Sequence, residues 1–317
     1  MTSERAVVVG SISAILLVVA GAQLLGLARG EEHPVGLAAP TPPATESAPA
    51  ATATTPGGLL AYSRDTADGE DVFVRDLASG EERRLTSGAA REFDPDLSPD
   101  GRLVAYRSNP DPASDAADIW VVGVDGSAPR NLTGDPSGDN WAPAWSPDGA
   151  LLAFTSARED GVLALWTMRP DGSGLRRVTD GHCEYADWSP DGTQLVCAGP
   201  RTAGRGAYDL WIVDAASGAM RQLTDTPETE FAPAWSPDGT RIAFQAEHGD
   251  AWTVETVAPD GSGRAQVSAG EGADPLWSPA GVLAWNGPGG LTVLHAGTGA
   301  PRALGDLAGR LTSWSGG

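Results

Sequence analysis

Acidic and aromatic side chains recur at one kind of place in this 317-residue chain. Glu92-Phe93-Asp94, Asp139-Asn140-Trp141, Glu184-Tyr185, Glu230-Phe231 and Asp274 each stand a few residues before a Trp-Ser-Pro phrase or its variant. Carboxylates mixed with aromatic rings at the centre of a concave face suit a basic or amphipathic peptide. The same oxygens would suit a calcium ion, a hard cation that takes oxygen ligands. Catalytic patterns are missing: there is no Gly-x-Ser-x-Gly elbow, no paired-histidine zinc helix and no phosphate-binding glycine loop. His33, His182, His248 and His295 share no spacing, whereas a metal-centred lyase needs several imidazoles that converge. We therefore expect no catalytic residue, no resident cofactor beyond that calcium option, and no transition-metal site. Asp100, Asp148, Asp191 and Asp238 each precede a glycine and read as turn formers rather than acids. Cys183 and Cys197 flank the turn at Pro190-Asp191. Pairing a hairpin about that turn sets them nearly opposite, which fits either a disulfide or two small buried hydrophobes. A zinc site is excluded by their spacing and by the lack of further ligands.

Bringing such scattered segments together requires a scaffold, and a repeat supplies it. Ala144-Trp145-Ser146-Pro147-Asp148-Gly149 followed by Leu151-Leu152-Ala153-Phe154 reads as strand, turn, strand. The phrase returns at Asp187-Trp188-Ser189-Pro190-Asp191-Gly192, Ala234-Trp235-Ser236-Pro237-Asp238-Gly239 and Leu276-Trp277-Ser278-Pro279-Ala280-Gly281, with a variant at Asp96-Leu97-Ser98-Pro99-Asp100-Gly101. A period of about 40–50 residues marks a propeller or a solenoid. Each copy continues with a third apolar run, such as Asp209-Leu210-Trp211-Ile212-Val213, and a brief fourth ending in Leu-Thr or a close variant. Short β-branched and aromatic runs between Asp-Gly turns make a four-stranded meander, which is one propeller blade. Ala280 in place of the turn aspartate predicts a looser turn in that copy.

These phrases resemble the Pro-Asp propeller repeats of the TolB-like proteins, over roughly residues 59–317. The resemblance implies a periplasmic-type six-bladed propeller that binds other envelope proteins. Related repeats also occur in oligosaccharide lyases and beside the catalytic parts of certain peptidases, and a shared fold does not carry a shared activity. The region opens at Leu59-Leu60-Ala61-Tyr62, a second strand lacking its first, and closes at Leu311-Thr312-Ser313-Trp314, a first strand lacking its second. The two complete one blade and remove the free edge of an open ring. The expected fold is all-β: a six-bladed β-propeller of four-stranded blades over residues 59–317.

Ahead of it, residues 1–5 form a short tail and residues 6–28 an uncharged apolar stretch. Its length suits a transmembrane signal anchor. Cleavage near Ala22 of a secretory signal is the alternative, because Ala20-Gly21-Ala22 has the small-x-small form. Residues 29–58 are Pro-, Ala- and Thr-rich and read as a disordered stalk in place of the α/β domain that precedes the propeller in TolB itself. The formal charge is −21, nearly all of it beyond residue 58, and every basic residue is arginine. Such an excess excludes nucleic acid, which needs a basic face. The expectation is a non-catalytic propeller tethered to the cytoplasmic membrane through residues 6–28. It would sit on the extracytoplasmic side and bind a cell-envelope protein or cationic peptide through its loop-rich channel face. A glycan lyase or hydrolase on the same ring is the alternative.

Overall fold

Apolar runs bounded by turns become strands throughout, and no helix occurs among the described residues. The computed structural model describes residues 58–111, 116–134, 139–201, 207–288, 290–294, 301–303 and 310–315. The anchor expected at 6–28 and the stalk expected at 29–58, Gly58 apart, lie outside them, as do His33 and His295.

The chain enters at β1 (Leu59–Asp65), β2 (Glu70–Asp76) and β3 (Glu82–Arg84). A first full meander follows as β4 (Arg91–Leu97), β5 (Leu103–Asn109), β6 (Asp118–Gly123) and β7 (Arg130–Asn131). The next is β8 (Asn140–Trp145), β9 (Leu152–Ser156), β10 (Ala164–Met168) and β11 (Arg176–Arg177). Then come β12 (Glu184–Trp188), β13 (Gln194–Pro200), β14 (Tyr208–Asp214) and β15 (Met220–Gln222). After these lie β16 (Glu230–Trp235), β17 (Ile242–His248), β18 (Ala251–Val257) and β19 (Ala265–Gln266). The chain finishes with β20 (Ala273–Trp277), β21 (Leu283–Gly287), β22 (Gly290–Leu294), β23 (Arg302–Ala303) and β24 (Arg310–Ser315).

These strands form an all-β propeller. Its sheets number five, not six separate ones: four contain four strands and one contains eight. The physical reason is a single parallel pair, Glu70 with Arg91, which joins the meander β24-β1-β2-β3 to the meander β4-β5-β6-β7. The last strand returns to the first: Leu60 faces Trp314 and Tyr62 faces Leu311 in antiparallel register. The innermost strands touch in a closed cycle, β4 to β8, β12, β16, β20, β24 and back to β4. Each therefore has neighbours on both sides, and the cycle surrounds a lumen.

Two small motifs explain the repeated wording. In the Ser-Pro-Asp-Gly turns the serine hydroxyl donates to the aspartate, at 2.6 Å for Ser98–Asp100 and Ser146–Asp148, and accepts the N–H that opens the next strand. The serine hydroxyl holds Asp148 below the usual carboxylate range. Gly192 and Gly239 close their turns at φ near 70° with a proline of the preceding blade beside them, a place that suits no other residue. The turn at Ala280 loses the serine–aspartate bond. It keeps Gly281 N–H to Ser278 O at 2.9 Å and Val282 N–H to the Ser278 hydroxyl at 3.0 Å, so it is not the loose turn expected.

The Leu-Thr endings are the second motif. Hydroxyls of Thr86, Thr133, Thr179, Thr224 and Ser268 accept the N–H groups of Val72, Ile119, Leu165, Leu210 and Val254 at 2.9–3.0 Å. The fourth strand is so short that this side chain continues the ladder where the backbone stops. Thr179→Val should cost about 1–2 kcal/mol in urea unfolding, because it leaves the buried Leu165 N–H without its acceptor.

The core lies between blades rather than in one centre. Tyr62, Phe154 and Phe244 are fully buried among the large side chains. Leu60, Tyr62, Phe73 and Trp314 of the closing blade pack against Leu276, Ala284, Leu291 and Val293. First-strand tryptophans also carry hydrogen bonds across the blade boundaries. The indole N–H groups of Trp145, Trp188 and Trp277 donate to the carbonyls of Asp96, Ala144 and Ala234 at 3.1–3.2 Å. That of Trp235 is buried without a partner.

Candidate site in the central channel

Each innermost strand presents a backbone edge to the lumen, so most of its side chains run sideways between blades. A bulge breaks this pattern. Register shifts occur between Phe93 and Asp96, Trp141 and Ala144, Glu184 and Asp187, Phe231 and Ala234, and Ala273 and Leu276. At each of them one non-glycine residue has φ of 48–51°: Asp94, Ala142, Tyr185, Ala232 and Asp274. An extra residue on one strand re-aims its neighbours, and the three residues from the bulge onward line the lumen.

The cavity so formed has a volume of about 630 Å³. It runs from the bulges to the prolines of the Ser-Pro-Asp turns. Four carboxylates line it, Asp94, Asp96, Asp187 and Asp274, with no arginine or histidine among the described lining residues. The remainder is mostly tryptophan, proline and alanine, with Leu97, Leu276, Tyr185 and few other hydroxyls.

Asp96 and Asp187 occupy equivalent positions two strands apart. Asp96 Oδ2 accepts the Trp145 backbone N–H at 2.7 Å, and Asp187 Oδ2 accepts that of Trp235 at 2.6 Å. Each side chain thus caps an edge amide of the next innermost strand. The Ser313 hydroxyl plays the same part for Leu97 N–H at 2.9 Å. Both aspartates are partly open to the lumen yet enclosed by protein. Burial pushes Asp96 up to about 6, and burial, with the Asp96 charge as a smaller cause, pushes Asp187 up to about 7.

Of the residues expected at the channel mouth, the structure brings only Asp94, Tyr185 and Asp274 to the lumen. The others are not among the residues that line it. Glu92 is buried with its carboxylate 3.4 Å from the Ser108 hydroxyl. Asn140 is fully buried, bound to the Ala117 carbonyl at 3.0 Å and to Arg158 at 2.7 Å. Glu184 meets His182 and Tyr208, and Glu230 meets Thr224, Thr226 and Arg264. Phe231 is buried against Tyr208, with ring centroids 4.6 Å apart.

Arg107 gathers the remaining expected residues. Its guanidinium lies 5.6 Å from the Phe93 ring centroid, 5.4 Å from that of Trp141 and 3.9 Å from the Asp139 carboxylate. Trp141, the one tryptophan outside the repeat pattern, therefore packs under an arginine rather than facing the channel. Asp96 and Asp187 stand inside the repeat phrases themselves. Their signal was available: the position before the tryptophan is Ala144, Ala234 or Leu276 in other copies, so a carboxylate there departs from the repeat.

Among the described residues no group of three or more His, Cys, Asp or Glu side chains is placed to hold a metal ion. Cys183 and Cys197 are joined as a disulfide with Cα atoms 5.5 Å apart, inside an apolar cluster with Leu195 and Val213.

Comparison with known proteins follows the same architecture. Residues 56–281 match the TolB beta propeller domain family. The chain belongs to that family. TolB from Acinetobacter baumannii superposes with a TM-score of 0.69 at 19% identity, over 84% of this chain and 69% of that one. At that identity the likeness establishes the fold alone. The uncharacterized peptidase YuxL of Bacillus subtilis is 30% identical over 56% of this chain and 25% of its own length. The uncharacterized protein Atu1656 of Agrobacterium fabrum is 34% identical over 40% of this chain and 46% of its own. The chain thus spans less than half the length of these curated relatives.

Proposed function

We propose that this TolB-family propeller is a non-catalytic binding module that takes a protein or peptide segment into its central channel. Reading the eight-stranded sheet as two blades joined at Glu70 and Arg91 gives a ring of six. The observation that carries the reading is the cavity: about 630 Å³, within the range of ligand pockets, and lined by four carboxylates among tryptophans and prolines. Its described lining has neither histidine nor cysteine to act as base or nucleophile. The lyase or hydrolase alternative draws support from the name of YuxL, of which this chain covers a quarter.

The test is selection of peptides from a random display library on the full chain, followed by Ala234→Phe, which fills the lumen. Selected peptides should lose at least about tenfold in affinity on that substitution. Unchanged affinity would place the site elsewhere. For location, we read the chain as anchored through residues 6–28 with the propeller outside the cytoplasm, where the partner is an envelope protein. The Cys183–Cys197 bridge supports an oxidising compartment. Protease added to intact cells should then degrade the propeller, and full protection would reverse the topology.

A further inference from the structure

The two ends of the channel differ. At the loop end burial pushes the pKa of the Tyr185 phenol up, and the charges of Asp94, Glu184 and Asp274 add to that shift. Asp94 and Asp274 come from β4 and β20, two places away from β12 on either side, so Tyr185 stands where three sectors of the ring converge. Arg107 adds a positive charge at the same end, and Tyr185 feels it. At this end carboxylates, a phenol and a guanidinium therefore stand together.

The other end is open in character. Pro99, Pro147, Pro190, Pro237 and Pro279 belong to the cavity lining and are exposed on the turn face. Rigid proline rings around the entrance, with first-strand tryptophans below them, accept an extended chain with little loss of side-chain freedom on the protein's side. Beyond that rim stand Asp96 and Asp187, which line the same cavity.

Neither carboxylate is required by the fold. Ala144 and Ala234 fill the same position in alternate strands, and Ser313 caps the equivalent amide with a hydroxyl. Capping the Trp145 and Trp235 amides uses one oxygen of each group, a role a neutral amide oxygen could fill. The charge itself is thus surplus to the architecture, and it lies in a cavity with no basic side chain among its described lining. A costly charge without a structural role is the mark of a recognition group.

We propose that Asp96 and Asp187 form a recognition pair for an arginine or lysine side chain, carried on an extended peptide that enters the channel from the proline-rimmed turn face. The proposal rests on the reading of the channel as a peptide site and adds its end, its chemistry and its residues. A guanidinium between two carboxylates gains charge-assisted hydrogen bonds in an enclosed, weakly screened place. Bulk is handled by the tryptophan and alanine walls, so selectivity resides in the charge.

Calorimetric titration of the full chain at pH 8 tests it, with acetyl-Gly-Gly-Arg-Gly-Gly-amide compared against the same peptide carrying citrulline. The arginine peptide should bind at least about tenfold more tightly. Asp96→Asn and Asp187→Asn should each remove most of that preference and leave the citrulline peptide unchanged, while Trp141→Ala at the loop end should alter neither. Equal affinities, or sensitivity to Trp141→Ala but to neither aspartate, would overturn the proposal. Library peptides that depend on Ala234 yet show no such charge preference would leave the channel a binding site and discard only the recognition pair. A channel that takes no peptide at all would discard both.

Discussion

Replacing Asp96 and Asp187 together by asparagine should stabilise the folded chain at pH 8 by about 3–4 kcal/mol in chemical unfolding. One pKa unit corresponds to about 1.4 kcal/mol. The two carboxyls are displaced from 3.8 to about 6 and about 7. Full conversion would give roughly 7 kcal/mol, and we halve it because lumen water screens groups that are partly open. The sign follows from linkage. A carboxyl that holds its proton more tightly when folded supports the fold below the unfolded pKa and loses that support as pH rises through the folded value. Stability of the native chain should therefore fall between about pH 4 and about pH 7, and the double variant should fall less. Buried Glu92 and Glu230, also pushed up by burial, slope the same way in both proteins and cancel in the comparison. A double variant less stable than the native chain at pH 8 would show that the charges serve as staples.

Trp314→Ala should destabilise by about 3–5 kcal/mol, the usual cost of removing a large buried aromatic. Trp314 is 7% exposed and packs with Leu60, Tyr62 and Phe73 in the closing blade as well as with Leu276 and Val293 of its neighbour. Its loss loosens β24, the strand that completes the cycle of inner strands, and leaves the edge of β1 without its partner. Trp277, only half-buried and inside a continuous meander, should cost less on the same change. Urea unfolding of the two variants side by side checks this. Equal losses would mean that the ring does not depend on its closing strand.

The architecture was legible because the repeat states it many times over. Trp145, Trp188, Trp235 and Trp277 recur before Ser-Pro, and each recurrence carries the same turn, so one error of reading is corrected by the next copy. The closing strand was legible for a related reason: Leu59–Tyr62 and Leu311–Trp314 are incomplete in complementary ways. For Cys183 and Cys197 the sequence keeps a disulfide and two buried hydrophobes both open, because a hairpin sets residues opposite one another without saying whether their sulfur atoms bond. The fusion of two meanders through Glu70 and Arg91 was not legible, since one parallel pair leaves no periodic trace.

The residues that line the cavity were only partly legible. Glu92, Asn140 and Glu230 sit at the end of the strand where a straight β-strand would enter the channel mouth. The bulges at Asp94, Ala142, Tyr185, Ala232 and Asp274 change which side chains face inward, and four of these five are followed two residues later by alanine or aspartate. Positive φ at alanine, tyrosine or aspartate has no compositional signature, because glycine is the residue that usually announces it. Once the bulge is placed, Asp96 and Asp187 move from turn-flanking residues to lumen residues.

Carboxyl-carbon NMR titration of Asp96 and Asp187 in the full chain, without and with acetyl-Gly-Gly-Arg-Gly-Gly-amide, tests the account most directly. The groups that face them are each other, the Ser313 hydroxyl and the Trp145 and Trp235 amides, with Asp94, Asp274, Tyr185 and Arg107 toward the loop end. In the free chain the midpoints should lie at about 6 and about 7, and both should fall when the peptide's guanidinium enters and favours the charged forms. Midpoints in the ordinary carboxylate range that ignore the peptide would contradict it.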